Sequence, residues 1–154
     1  MAPEFTKLLG LAFVLMCCTA GAHSVPDLRM VSFAYRHPFA QESLVSSLSD
    51  ETQESILEEA VDLLIRHPNI HVFIRGYADD AECLHANCQA LSDRRARLVY
   101  DWLVAHGVAE NQLEGRMGFG NTQPIDFEET EAQRSHNRRV EFGLTYVGDP
   151  WAQT

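Results

Sequence analysis

Between Asp50 and Gly107 the apolar residues change period twice, from helical to strand spacing and back, and that alternation admits few folds. Ile56, Leu57, Ala60, Val61 and Leu64 recur on one helical face behind Asp50 and Gln53, which are spaced as a capping box. Arg66, His67 and Pro68 end that helix. Ile70, Val72 and Ile74 then alternate with His71, Phe73 and Arg75, the signature of a strand, and the chain turns at Gly76. A second helix is expected to open at Ser92, to bury Leu98, Val99, Trp102 and Leu103, and to end on a left-handed Gly107 followed by Val108.

Flanking segments extend the pattern. Met30, Val31, Phe33 and Tyr35 read as a first strand over Arg29 to Tyr35, followed by a loop through Ser46 to Ser49. Leu113 to Phe119 reads as a strand that ends in a glycine turn, and Asp126 to Glu131 as an acidic surface loop. Val140, Phe142, Leu144 and Tyr146 alternate as a last strand, entered through the arginine-rich stretch Arg134 to Arg139. The order strand, helix, strand, helix, strand, strand implies an α/β domain of the α+β sandwich kind, with a mixed sheet covered by helices on one face. A chain of 154 residues holds one such domain, placed over residues 29–147.

The N-terminus reads as an export signal over residues 1–22. Lys7 precedes the apolar run Leu8 to Met16, which is too short to span a bilayer, and Ala20-Gly21-Ala22 offers a cleavage site. A short leader, 23–28, and a tail, 148–154, flank the domain. Lipidation at Cys17 or Cys18 is the alternative to a soluble product. Removal of the signal leaves Cys83 and Cys88, which in an oxidising compartment pair as a disulfide. A zinc site from Cys83, His85, Cys88 and His71 is the weaker alternative, so no metal and no cofactor are expected. A formal charge of -10 provides no basic stripe for displacing counterions, which argues against a nucleic-acid partner.

The stretch RGYADDAECLHANCQALSDRRAR, Arg75 to Arg97, carries most of the chemistry. Arg94, Arg95 and Arg97 in the first turns of a helix oppose its macrodipole unless an anion is meant to sit there. With Asp79 at the end of the preceding strand, a carboxylate and a guanidinium stand together, which suits a zwitterion: ammonium on the carboxylate, carboxylate on the arginine fork. Arg94 and Arg97 read as a solvated face.

The ordered runs GYADD, LSDRRARLVYDWLVAHGV, LEGRMGFGNTQPI and RSHNRRVEF resemble the C-terminal OmpA-like peptidoglycan-binding domain of outer-membrane proteins, peptidoglycan-associated lipoproteins and flagellar stator proteins, over roughly Arg29 to Tyr146. The resemblance implies noncovalent binding of the diaminopimelate residue of the stem peptide in the periplasm or at the outer membrane, anchoring to the cell wall without catalysis. Peptidoglycan is the implied partner, with other envelope proteins as further ones. By position, Asp79 meets the ligand ammonium, Arg95 its carboxylate, and Arg138 makes a further contact; Ala78 stands where the family carries threonine and Asn87 where it carries asparagine. Ala34 and Arg36 occupy first-strand positions where aspartates are usual. These departures motivate the alternative of a structural or protein-interaction module of the envelope that no longer binds the wall. A glycosidase using Asp79 with Asp80 or Glu82 is the enzymatic alternative, but nothing fixes the carboxylate spacing such chemistry needs, and no serine elbow or metal-hydrolase motif is present.

Overall fold

The computed structural model describes residues 27–84 and 87–148. The signal segment, Cys17 and Cys18, His85, most of the short leader and residues 149–154 of the tail lie outside the described residues. The elements run β1 (Val31–Ser32), α1 (Leu44–Ser47), α2 (Thr52–Arg66), β2 (Ile70–Gly76), α3 (Asp80–Cys83), α4 (Cys88–Ala105), a 3-10 turn (Glu110–Gln112), β3 (Leu113–Gly118), α5 (Glu131–Asn137) and β4 (Arg139–Tyr146).

They form one mixed sheet in the order β1-β4-β2-β3. β4 runs antiparallel to β2, from Ile70 opposite Tyr146 to Gly76 opposite Val140, while β3 is parallel to β2 across the α4 crossover. Along β2 the alternation is a statement about faces. Ile70, Val72 and Ile74 are fully buried beneath the helices, and Arg75 on the opposite face is exposed. Leu57, Ala60 and Leu64 of α2 and Ala96, Val99 and Leu103 of α4 supply the other side of the core. Leu98 and Trp102 pack at its margin, partly buried, and Trp102 stacks on His106. Gly107 takes φ of +94° and Val108 N–H returns to Leu103 O at 3.1 Å, the left-handed cap expected there.

α4 comes close enough to the sheet to dictate its glycines. A Cβ on Gly76 would collide with the Ser92 carbonyl, and one on Gly118 with the Ser92 hydroxyl and the Asp93 backbone. Those two positions let the helix lie against the ends of β2 and β3, where the candidate site forms.

Four local expectations are corrected. α4 begins at Cys88, not Ser92: the Asn87 side chain caps it by accepting the Ala90 N–H at 3.1 Å, and Ser92 lies buried inside the helix, accepting Gly120 N–H at 2.9 Å. The box between Asp50 and Gln53 does not form; Asp50 accepts Thr52 N–H at 2.9 Å, and the Gln53 side chain turns to Ser32 N–H at 2.9 Å. The first strand is only Val31–Ser32, because Phe33 bridges to Leu48 and the chain then leaves the sheet. Three short helices occupy stretches read as loop or strand entrance. α1 is capped by Ser43, α3 by Asp79, and α5 by a reciprocal Thr130–Gln133 box that also reassigns Arg134 to Asn137 from strand to helix.

Candidate functional site

The C-terminal end of β2 delivers Tyr77, Ala78 and Asp79 into the space between the start of α4 and the α5–β4 junction. Backbone pairing fixes them: Tyr77 N–H donates to Arg139 O at 2.8 Å and Ala78 N–H to Gly120 O at 2.9 Å. Asp79 then leaves the sheet as the cap of α3. Its Oδ1 accepts Glu82 N–H at 2.8 Å, while Glu82 Oε2 accepts Asp79 N–H at 3.2 Å, a reciprocal capping box. Cys83, the next residue, is disulfide-bonded to Cys88, the first residue of α4, with Cα atoms 5.1 Å apart. Paired in this way, neither sulfur is available as a thiolate ligand. No cluster of three or more candidate metal ligands occurs among the described residues.

Three ion pairs, made by two arginines, fill this site. Arg138 Nη1 meets Asp79 Oδ2 at 2.7 Å, and its Nη2 donates to Glu131 Oε1 at 2.6 Å. Arg95 forks onto Glu82, Nη1 to Oε2 at 2.9 Å and Nη2 to Oε1 at 2.6 Å. The rest of the Arg95 guanidinium binds backbone carbonyls, with Nε on His37 O at 2.8 Å, Nη1 on Tyr77 O at 2.8 Å and Nη2 on Ala34 O at 3.4 Å. All five guanidinium N–H groups therefore have acceptors. Asp79, Glu82 and Arg95 are each 0% exposed, and Arg138 is 5% exposed.

Burial pushes the Arg95 guanidinium below its ordinary pKa, and Glu82 restores part of the difference. Arg138 is also penalised by burial, but Glu131 and Asp79 outweigh that and its pKa rises. The hydrogen bond from Arg138 holds the Glu131 carboxyl below the usual range, against a smaller opposing effect of burial. Glu128 moves the other way, pushed up first by burial and then by the neighbouring Asp80 carboxyl, against a smaller opposing effect of the Asp80 N–H it accepts at 3.0 Å. The aromatic wall is Tyr35, half-exposed, whose ring centre lies 5.6 Å from the Arg138 guanidinium carbon, with Phe33 buried 5.3 Å from that of Arg95.

The structure thus brings Asp79, Arg95 and Arg138 into one cluster, beside Ala78. It does not free them: each charge has a protein partner. Asn87 is an exposed residue whose side-chain oxygen is taken by capping α4. The reading of three arginines in the first turns of α4 is corrected by its start at Cys88, which places Arg95 within the helix and commits its N–H to the helical ladder. Glu82 is the residue whose place in this cluster the sequence reading missed. An Asp-x-x-Glu spacing at residues 79–82 is a capping-box signal and was available to find it.

Comparison with known proteins places this arrangement in context. Residues 39–138 match the OmpA family model. The peptidoglycan-binding protein ArfA of Mycobacterium tuberculosis is 40% identical over 86 residues, 56% of this chain and 26% of that protein. The peptidoglycan-associated lipoprotein of Brucella melitensis is 31% identical over 105 residues, 68% of this chain and 61% of its own length. The chain therefore spans between about a quarter and three fifths of these relatives. Among solved structures, the peptidoglycan-associated lipoprotein of Burkholderia pseudomallei superposes with a TM-score of 0.60 at 25% identity, covering 76% of this chain and 90% of the other. The C-terminal domain of Helicobacter pylori MotB gives 0.62 at 23% identity, covering 80% and 88%, and shares the fold.

Proposed function

The chain belongs to the OmpA family, a family of binding modules and not of enzymes, and on that premise we propose that it binds peptidoglycan noncovalently through the diaminopimelate of the stem peptide. One observation carries this reading: two ion pairs of opposite sense stand side by side, Arg95 with Glu82 and Asp79 with Arg138, joined by the Glu82–Asp79 capping bonds. A zwitterionic ligand centre would exchange with them, its carboxylate on the Arg95 fork and its ammonium on Asp79. Each charge-assisted bond so formed contributes about 1.5–3 kcal/mol, offset by the bond to Glu82 or Arg138 that it replaces. Arg138, anchored by Glu131 and facing Tyr35, borders the site from the start of β4. The exported chain would act in the periplasm and tether whatever it is attached to, soluble or lipid-anchored, to the wall.

Asp79→Asn keeps the side-chain oxygen that caps α3 and removes the charge. Co-sedimentation with diaminopimelate-containing sacculi is expected to fall at least tenfold for this variant, about 1.4 kcal/mol, with circular dichroism unchanged. Equal sedimentation of the folded variant and wild type would remove Asp79 from the binding site.

A second reading, an envelope module that engages other proteins and not the wall, is favoured by one fact: Arg95 has no exposure and all its donors are used. Wild-type protein that stays in solution with sacculi, yet cross-links to an envelope protein, would establish it.

A further inference from the structure

We propose that Glu82 is a built-in competitor for the wall ligand, a carboxylate that occupies the Arg95 fork and must leave before a stem-peptide carboxylate can bind. The inference rests on the peptidoglycan reading above and adds to it a closed state and the residue that closes it.

Glu82 has the chemistry of the ligand group it would exclude. Its two oxygens take the parallel bidentate geometry on Arg95 that a free carboxylate would take. It is carried on α3, a helix of four residues, between Asp80 and Leu84, both exposed, the latter 79%. Its carboxylate is nevertheless fully buried, and hydrogen bonds hold it there. Those bonds come from Arg95, from Asp79 N–H and from Arg36 N–H at 2.5 Å.

The Arg36 bond extends the closure to the loop after β1. Arg36 is a non-glycine residue at φ +62°, a conformation that costs free energy unless its surroundings hold it. Its N–H lies on Glu82, and the neighbouring carbonyls of Ala34 and His37 lie on Arg95. The loop thus closes over the Arg95–Glu82 pair through three backbone contacts, and withdrawal of Glu82 removes the one that fixes Arg36. The Cys83–Cys88 bridge limits how far α3 can travel, since it joins the residue after Glu82 to the first turn of α4. Glu82 therefore leaves the fork while remaining tethered beside it, as a reversible latch requires. If the open form is less than about a tenth of the molecules, the apparent dissociation constant is raised at least about tenfold.

Two measurements on the full disulfide-bonded chain test this. Glu82→Gln, which keeps shape and one acceptor but loses the charge, is expected to bind a soluble diaminopimelate muropeptide at least about tenfold more tightly than wild type. In wild type, amide exchange at Arg36 and Asp79 is expected to accelerate when that muropeptide is added, because both N–H groups lose their acceptor. A folded Glu82→Gln that binds no tighter than a binding wild type overturns the latch and leaves wall binding intact. If Glu82→Gln fails to fold, the wild-type exchange decides, and unchanged or slower exchange at both amides overturns the latch. Absence of binding by wild type and folded variant alike overturns wall binding and the latch with it.

Discussion

Replacing Arg95 with methionine tests whether the Arg95–Glu82 pair is as deeply embedded as its geometry indicates. Both side chains are 0% exposed, so the substitution leaves the Glu82 carboxylate buried, with the Arg36 and Asp79 N–H groups as its remaining donors. It also leaves the carbonyls of Ala34, His37 and Tyr77 without the guanidinium that served them. Breaking one side of a buried ion pair destabilises by about 3–5 kcal/mol. For a domain of this size that is a drop of roughly 10–20 °C in Tm. Removing both charges, Arg95→Met with Glu82→Met, eliminates the orphaned carboxylate and is expected to recover a large part of the loss. The coupling in a urea-melt double-mutant cycle should reach about 2–3 kcal/mol. A single-mutant loss below about 1 kcal/mol, or a double mutant equal to the sum of the singles, would refute the description of this pair as buried and mutually dependent.

Other perturbations separate the local determinants. Reducing the Cys83–Cys88 bridge, which closes a short loop, is expected to lower stability by about 2 kcal/mol on the chain-entropy relation, read as a shifted urea midpoint; no shift would mean the loop is equally ordered without it. Gly76→Ala drives a methyl into the Ser92 carbonyl and should cost about 1–3 kcal/mol by thermal melt, whereas a neutral result would show that α4 can withdraw from the sheet. Asp50 has its carboxyl lowered to about 2 by bonds from Thr52 and Ser49. A depressed folded pKa means stability present above the unfolded value near 4 and lost as pH falls toward 2, so the Tm gap between wild type and Asp50→Asn should shrink over that window. A gap that is constant across the window would contradict the assignment.

The long elements were legible because their periodicity is enforced by burial. β2 buries alternate residues over its length, and α2 buries Leu57, Ala60, Val61 and Leu64 as its spacing requires. The end of α4 was equally readable, since Gly107 needs the left-handed conformation that a side chain opposes. Its beginning was misplaced because Ser92 and Asn87 are both good caps, and sequence does not say that Ser92 is buried against Gly120. α1, α3 and α5 are too short to be stable by propensity, so they exist through caps and tertiary contacts that periodicity does not register. The site was legible as a set of charges and not as a set of partners. Asp79, Arg95 and Arg138 come together as the family resemblance implies, but a zwitterion site needs open charges and here each charge is paired. Glu82 and Glu131 supply the counter-charges, and Glu131 reaches Arg138 only because α5 folds where a loop was read. The supposed anion site at the start of α4 dissolved for a related reason: with the helix beginning at Cys88, Arg95 meets a side chain of α3 and not a ligand at a helix end.

The most direct test of wall recognition compares co-sedimentation of the disulfide-bonded chain with two kinds of sacculi, one with diaminopimelate in the stem peptide and one with lysine at that position. Lysine keeps the side-chain ammonium proposed for Asp79 and lacks the carboxylate proposed for the Arg95 fork. Binding to the diaminopimelate wall at least tenfold stronger than to the lysine wall is the result expected of a site that reads both charges. Equal binding to both, or binding to neither, would contradict recognition of the zwitterion by Asp79 and Arg95.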